Sequence, residues 1–325
     1  MKAIALFSGG LDSTLAMKLI IDQDIEVIAV NINTGFGGTK DRRAHMQNMC
    51  DQVGATLKIV DIQHEYIQDV LFDAKHGYGK NFNPCIDCHG FMFKVAKRLM
   101  EDEGASFLIS GEVLGQRPMS QNPDALNTVL NIGDVDGLLL RPMCAKHMKP
   151  TIAEENGWVD REKLQNISGR GRTTQMEMAK EYNLTDYESP GGGCLLTDES
   201  FGIKIRDFIE YDKFEVPDIP VIKNGRHFRL PNGAKLVVGR DQDENAKLEA
   251  IENEKFTLIK PHGMPGPSSL LSVSANTADK ELAIKIIITY SKIEAGNEYS
   301  VEIGENILTS SPLESRKIAG EYSIF

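Results

Sequence analysis

Between residues 2 and 113 the chain alternates short apolar runs with helical periodicity. KAIALFS (2–8), IEVIAVNIN (25–33), TLKIVDI (56–62) and ASFLISGEV (105–113) read as strands. LDSTLAMKLIIDQ (11–23), DRRAHMQNMCDQVG (41–54) and HGFMFKVAKRLMEDEG (89–104) repeat their apolar residues every three to four positions and read as helices, two of them stopped by glycine. A strand that leads through a helix to the next strand builds a parallel sheet. The prediction is therefore an α/β, doubly wound parallel sheet. Ligands in such sheets lie outside the carboxyl ends of the strands. Residues 8–14, 31–39 and 110–120 all fall at such ends.

Beyond this region the pattern weakens. Residues 115–150 contain Pro and Asn and read as irregular, with GDVDGLLLRPM as a fifth strand and turn. Residues 151–185 read as mainly helical, and SPGGGCLLTD (189–198) as a loop. After about residue 200 the texture changes. VIKNGRHFRLPNGAKLVVGR places two Asn-Gly pairs between strand-like runs, a hairpin signature. DQDENAKLEAIEN reads as helix, ELAIKIIITYSKI as helix or strand, and EYSVEIGENILTSSP as β. The expected organisation is a first domain over 1–200 and a second, smaller α+β domain over 201–325.

The first strand runs into Ser8-Gly9-Gly10-Leu11-Asp12-Ser13-Thr14. Glycines let backbone N–H groups approach an anion, and the helix that follows turns its positive end toward it. Ser8, Ser13 and Thr14 add hydroxyls, and Asp12 is suited to Mg²⁺ on a bound phosphate. A glycine turn without a ligand is the bland alternative. The loop is neither GxxxxGK[ST] nor GxGxxG, which excludes the common nucleotide loops.

The 325 residues carry a net charge of −11, which weighs against broad non-specific nucleic-acid binding but leaves room for a local basic face. No apolar run reaches the length of a spanning helix and the N-terminus lacks a signal-peptide pattern, so no membrane association and a cytoplasmic location are expected. A reducing compartment makes metal, cluster or catalytic use of the five cysteines the better reading. Cys85 and Cys88 form a CxxC just before a helix, and Cys194 follows three glycines. Zinc, with His89 or Cys194 completing the set, a redox pair and an iron–sulfur cluster all stay open. Cys50 reads as core packing and Cys144 as structural.

SGGLDS resembles the loop of the ATP pyrophosphatase (PP-loop) superfamily. Together with CIDCHGFMFKVA, SGEVLGQRPMSQ and LLLRPM it resembles the catalytic domain of tRNA 4-thiouridine synthetases, and the tRNA 2-thiouridylases share the loop and the paired-cysteine logic. The resemblance covers roughly residues 1–200. It implies an adenine nucleotide alpha hydrolase-like fold. It also implies ATP and Mg²⁺ at Ser8, Gly9, Gly10, Asp12, Ser13, Thr14, Gly111 and Gln116, with Arg117 and Arg141 as further pocket residues. The 2-thiouridylases usually have Asp where this chain has Cys85. The CxxC plus a distant cysteine is similar to cluster-dependent members, which implies a [4Fe–4S] cluster on Cys85, Cys88 and Cys194, with zinc the lesser occupant. Asp12 and these three cysteines are the expected catalytic residues.

The 4-thiouridine synthetases normally carry an RNA-binding module ahead of this domain, whereas here the loop begins at Ser8. GAKLVVGRDQDENAKL is similar to a stretch of the RNA-binding domain of NFACT proteins, which would replace that module. Lys223, Arg226, His227, Arg229, Lys235 and Arg240 supply local positive charge there. The function so implied is an ATP-dependent tRNA sulfurtransferase. It adenylates a uridine carbonyl and replaces the oxygen with sulfur, drawn from sulfide or a cysteine desulfurase. Two other readings compete: persulfide chemistry on Cys88 and Cys194 without a cluster, and transfer of sulfur or nitrogen to a small molecule with the second domain serving oligomerisation, for instance as a homodimer.

Overall fold

The computed structural model describes residues 1–38, 40–188, 193–294 and 297–325. They divide into two compact units, Met1–Thr197 and Asp198–Phe325.

The first unit is a five-stranded, all-parallel sheet in the order β3-β2-β1-β4-β5, from β1 (Lys2–Leu6), β2 (Glu26–Asn33), β3 (Thr56–Asp61), β4 (Phe107–Ser110) and β5 (Leu139–Leu140). The helices are α1 (Leu11–Ile21), α2 (Arg43–Val53), α3 (Gln63–Tyr66), α4 (Cys85–Asp102), α5 (Pro123–Gly133), α6 (Ile152–Glu155) and α7 (Thr173–Glu181). The period of two in the strands sorts the core. Ala3, Ala5, Val27, Ala29, Phe107 and Ile109 pack with α1, α2 and α7, while Ile4, Ile28, Val30 and Leu108 pack with α4 and α5. Both faces are covered, as the near-continuous apolar strands require. Burying each large aliphatic side chain contributes about 1.5–3 kcal/mol. The strand order reverses between β1 and β4, so the crevice outside their carboxyl ends is the switch point where such sheets take ligands.

Three readings of this unit change. α4 begins at Cys85, after Pro84, so the CxxC occupies its first turn instead of preceding it. The stretch read as irregular contains α5, because Asn122 and Pro123 start it: the Asn122 side chain accepts from the Ala125 N–H and Pro123 enters the first turn, where its missing N–H costs nothing. Residues 151–185 hold only α6, a 3₁₀ turn at Arg161–Lys163 and α7.

The second unit is a six-stranded antiparallel sheet in the order β11-β10-β8-β9-β7-β6. Its strands are β6 (Arg226–Arg229), β7 (Lys235–Val238), β8 (Phe256–His262), β9 (Ser269–Ser272), β10 (Tyr299–Ile303) and β11 (Asn306–Ser310). Its helices are α8 (Glu199–Tyr211), α9 (Asp218–Lys223), α10 (Gln242–Glu249), α11 (Thr277–Tyr290) and α12 (Arg316–Gly320). Asn232-Gly233 turns β6 into β7, whereas Asn224-Gly225 ends α9 and starts β6. ELAIKIIITYSKI is helix, with Ala283, Ile284, Ile286, Ile287 and Ile288 in the core beside the sheet. β8 and β9 went unread because the Pro-Gly segment between them dominates that stretch.

Candidate functional site

The loop between β1 and α1 turns on Gly9, whose φ of +78° favours glycine. The Ser8 and Ser13 hydroxyls lie 3.4 Å apart at its mouth. Gly111, directly after β4, packs so closely that a Cβ there would lie 2.4 Å from the Ser13 nitrogen. The switch point is thus closed by backbone on backbone. Gly111→Ala is expected to cost about 1–3 kcal/mol by overpacking, read as a lowered urea midpoint. A wild-type midpoint would count against this contact.

Gln116 is brought to the loop, donating Nε2–H to Asp12 Oδ2 at 2.7 Å, and Gln175 of α7 donates to Gln116 at 3.1 Å. Gln175 is absent from the sequence reading, as are three further residues that join them. Arg172 places its guanidinium 3.9 Å from Asp12 Oδ1. Arg42 reaches the Ser8 carbonyl and pairs with Glu188. His45 meets the Gly9 carbonyl at 3.1 Å. The clue for Arg42 and His45 is their position at the start of the helix after β2; Arg172 and Gln175 come from a segment with no motif. Around this loop Asp12 Oδ1, Arg42 Nε, Arg172 Nε and Gln175 Oε1 are buried without hydrogen-bond partners. Buried polar atoms are ordinarily satisfied, and this set, two cations, a carboxylate and an amide oxygen, matches the chemistry of a magnesium nucleotide.

Two expected nucleotide residues take other roles. Thr14 is fully buried and its hydroxyl donates to the Gly10 carbonyl one helical turn back, so it steadies α1. Arg141 does not line an open pocket. It is buried and donates Nε–H to Glu112 Oε2 at 2.8 Å. Burial would raise the Glu112 carboxyl, but Arg141, with the His89 ring, more than reverses that and holds it at about 2. Arg117 is exposed and acts on the Cys85 thiol.

The cysteines sort as their surroundings dictate. Cys50 is fully buried in the core and Cys144 donates to the Glu112 carbonyl. Cys194 is placed by its neighbours: the Leu195 N–H donates to the Phe36 carbonyl beyond β2, and the Phe82 N–H, ahead of α4, to the Leu196 carbonyl. These ties bring Cys194 toward the CxxC, where Cys194 and Cys85 both act electrostatically on Cys88 and on the Tyr66 hydroxyl. Gly191 and Gly192, read as a flexible approach to Cys194, lie outside the described residues, as does residue 39. Burial pushes the Cys88 thiol up to about 12, and the Cys194 and Cys85 charges add to it. Tyr66, absent from the sequence reading, is 1% exposed; its ring packs on Phe36, and its hydroxyl faces Cys88 without a well-formed hydrogen bond. None of the five cysteines is in a disulfide among the described residues.

Among the described residues no three His, Cys, Asp or Glu side chains converge as ligands of one metal ion. A zinc ion needs that convergence. A four-iron cluster puts each thiolate on a separate iron and does not, and the thiols of Cys85, Cys88 and Cys194, the last two residues both acting on the Tyr66 hydroxyl, are the donor type such a cluster takes.

In the second unit the expected basic face is thinned. His227 is fully buried, and Lys235 is 2% exposed and pairs with Asp207, as does Arg229. Arg240 pairs with Glu244 one turn along. Both faces of β6 and β7 are covered, Phe228, Leu236 and Val238 packing in one core and Val237 in another, which the run of charges conceals. Among the described residues, no helix is long and apolar enough to cross a membrane.

Comparison with known proteins divides the chain in the same way. Residues 1–155 match the family model of the thiamine biosynthesis protein (ThiI), and residues 225–322 that of the NFACT protein RNA binding domain. A probable tRNA sulfurtransferase of Thermococcus kodakarensis is 31% identical over 116 residues, 35% of this chain and 30% of the relative. A tRNA-specific 2-thiouridylase, MnmA 2 of Fusobacterium nucleatum, is 26% identical over 113 residues, 34% and 33% of the two chains. The chain therefore spans about a third of the length of these relatives. A 4-thiouridine synthetase solved with RNA and bound ATP aligns at 20% identity with a TM-score of 0.37, covering 68% of this chain and 52% of that one.

Proposed function

We propose that this chain is an ATP-dependent tRNA sulfurtransferase. The observation that carries the reading is the set of buried, unpartnered polar atoms on Asp12, Arg42, Arg172 and Gln175 around a glycine loop at the switch point of a parallel sheet. Two stretches of chain with matches to a ThiI domain and to an RNA-binding domain support it.

In this reading the glycine loop and the start of α1 cradle the ATP phosphates. Asp12 faces Mg²⁺ there. A uridine carbonyl oxygen attacks the α-phosphorus, the bond to pyrophosphate breaks, and a poor leaving oxygen becomes part of a good one. Arg42 and Arg172 gather the charge that accumulates on pyrophosphate, a role for which fixed guanidiniums are suited. A sulfur nucleophile then attacks the activated carbon and AMP leaves. The base must leave its stack to be reached, as other modified bases do. Cys85, Cys88 and Cys194 would hold a [4Fe–4S] cluster, which supplies an iron without a protein ligand as a place for incoming sulfide. The Tyr66 hydroxyl is placed to donate to sulfur in that pocket. The sulfur comes from sulfide or a cysteine desulfurase.

The test is anaerobic incubation of the purified chain with iron, sulfide, ATP-Mg and tRNA, followed by nucleoside mass spectrometry and pyrophosphate assay. Thiouridine formed with matching pyrophosphate supports the proposal. Pyrophosphate released without any thiolated nucleoside overturns the RNA acceptor and favours a small-molecule one. Arg172→Ala is expected to raise the KM for ATP roughly tenfold to a hundredfold, by analogy with the loss of one charge-assisted hydrogen bond worth about 1.5–3 kcal/mol. An unchanged KM would remove Arg172 from the nucleotide site.

A further inference from the structure

The loop over residues 72–84 borders the cysteines and takes no part in the proposed reaction. Asp87, between the two cysteines of the CxxC, accepts from the His76 backbone N–H at 2.9 Å and from its ring at 2.8 Å. Further along, Asn81 donates to the Thr197 carbonyl at 2.7 Å and the Phe82 N–H to the Leu196 carbonyl. The loop is thus clamped to the first turn of α4 on one side and to the Cys194 segment on the other. Asn83, at its end, and Ser120, from the segment after β4, both reach the Cys85 thiol.

The outer side of this clamped loop presents apolar surface. Tyr78 is 41% exposed, and Met119, directly before Ser120, is 62% exposed. The Tyr78 ring packs on Phe82 with 4.8 Å between centroids, and its hydroxyl donates to the Leu71 carbonyl at 2.8 Å, so the ring is braced from two sides. The Met119 methyl closes on Gly79, where a Cβ would come to 3.5 Å from it. Lys80, on the same loop as Tyr78, and Arg117, on the same segment as Met119, are exposed. Their neighbours Lys75 and His76 pair with Asp73 and Asp87, whereas among the described residues Lys80 and Arg117 have no carboxylate partner. In a chain of net charge −11, open cations beside a braced, exposed aromatic ring are complementary to a ligand that is both anionic and ring-bearing. RNA with its bases turned out of the stack is such a ligand, since aromatic side chains receive the base faces and cations the phosphates. We infer that Tyr78 and Met119 form a stacking platform for the nucleotide beside the target uridine, with Lys80 on its phosphate, so that this loop selects the RNA context in which a uridine enters the thiol pocket. The inference rests on the proposed function in taking tRNA as the acceptor. It adds an RNA contact in the first unit, from a loop that carries no motif.

The test irradiates the full chain with a bromouridine-substituted tRNA transcript, without ATP, and locates crosslinked peptides by mass spectrometry. Crosslinks at Tyr78 or Met119 are expected. In fluorescence anisotropy with the same transcript, Tyr78→Ala should weaken binding roughly tenfold, the scale of one lost base–aromatic stack. Tyr78→Phe, which keeps the ring, should bind as wild type. Lys80→Gln, at an exposed position without an ion pair, should lower the slope of log K against log salt by about 0.7. Crosslinks confined to residues 198–325, with Tyr78→Ala and Lys80→Gln binding as wild type, overturn the platform. Binding requires neither ATP nor sulfur, so the two readings separate. A chain that thiolates tRNA but shows that confined pattern loses the platform alone. Crosslinks at Tyr78 without any thiolated nucleoside uphold the platform and sink only the chemistry.

Discussion

Cys194→Ala is expected to leave pyrophosphate release largely intact while cutting thiouridine formation roughly a thousandfold or more, the scale of losing a residue from a unit that acts together. The two readouts part because the residues sit in different places. In the proposed reaction, activation uses the glycine loop after β1 with Arg42, Arg172 and Gln116, which the structure places around Asp12 and Ser8. In the same proposal, sulfur delivery would use Cys85, Cys88 and Cys194, the last positioned by the ties of Leu195 and Leu196 to Phe36 and Phe82. Cys85→Ala and Cys88→Ala should behave alike, and each should also remove the visible absorbance of protein reconstituted with iron and sulfide. Asp12→Ala should do the reverse, losing pyrophosphate release while that absorbance remains. Full iron content in the triple cysteine variant would refute the cluster assignment and leave persulfide chemistry on Cys88 and Cys194 as the surviving route.

Arg141→Ala is expected to destabilise the first unit by about 3–5 kcal/mol, since it strands the Glu112 carboxylate in the interior. For a unit of this size that is a fall in Tm of roughly 10 °C. Glu112→Gln should cost less, because the amide still accepts from Arg141. The same pair sets an acid limit. The Glu112 carboxyl is held at about 2, below its ordinary value of 4.5. Its stabilisation is therefore complete above pH 4.5 and is lost as pH falls from there toward 2, a contribution of about 3 kcal/mol. Urea midpoints of wild type and Glu112→Gln measured between pH 7 and pH 3 should converge on the acid side. Parallel curves would show that Glu112 does not titrate as the fold implies.

Within the site, legibility followed chemistry that is local in the chain. The glycine loop and the CxxC are short, and Gln116 was reached through the motif around it. Arg42, His45, Arg172, Gln175 and Tyr66 were silent because each belongs to a helix or turn whose local pattern is ordinary. They matter only through what the sheet brings beside them. Arg141 and Thr14 show the converse. Their residue types suit a phosphate site, yet both are buried and hydrogen-bonded within the fold. In the second unit, charge in the sequence overstated the basic face, because both faces of β6 and β7 are covered and Asp207 pairs Arg229 and Lys235 there.

What this sequence determined alone is the alternation of apolar strands and amphipathic helices over its first third, hence a parallel sheet. It also placed a flexible glycine loop at the end of the first strand, since apolar periodicity and backbone freedom are properties of neighbouring residues. Only the tertiary structure decided which polar groups remain unpaired. Asp12 Oδ1, Arg42 Nε and Arg172 Nε are left without hydrogen bonds at the switch point, Cys194 is carried to Cys85 and Cys88 across more than a hundred residues, and Arg226 and Arg316 share one tyrosine ring. Whether a charge is satisfied depends on groups distant in the chain, and that distance is what folding removes.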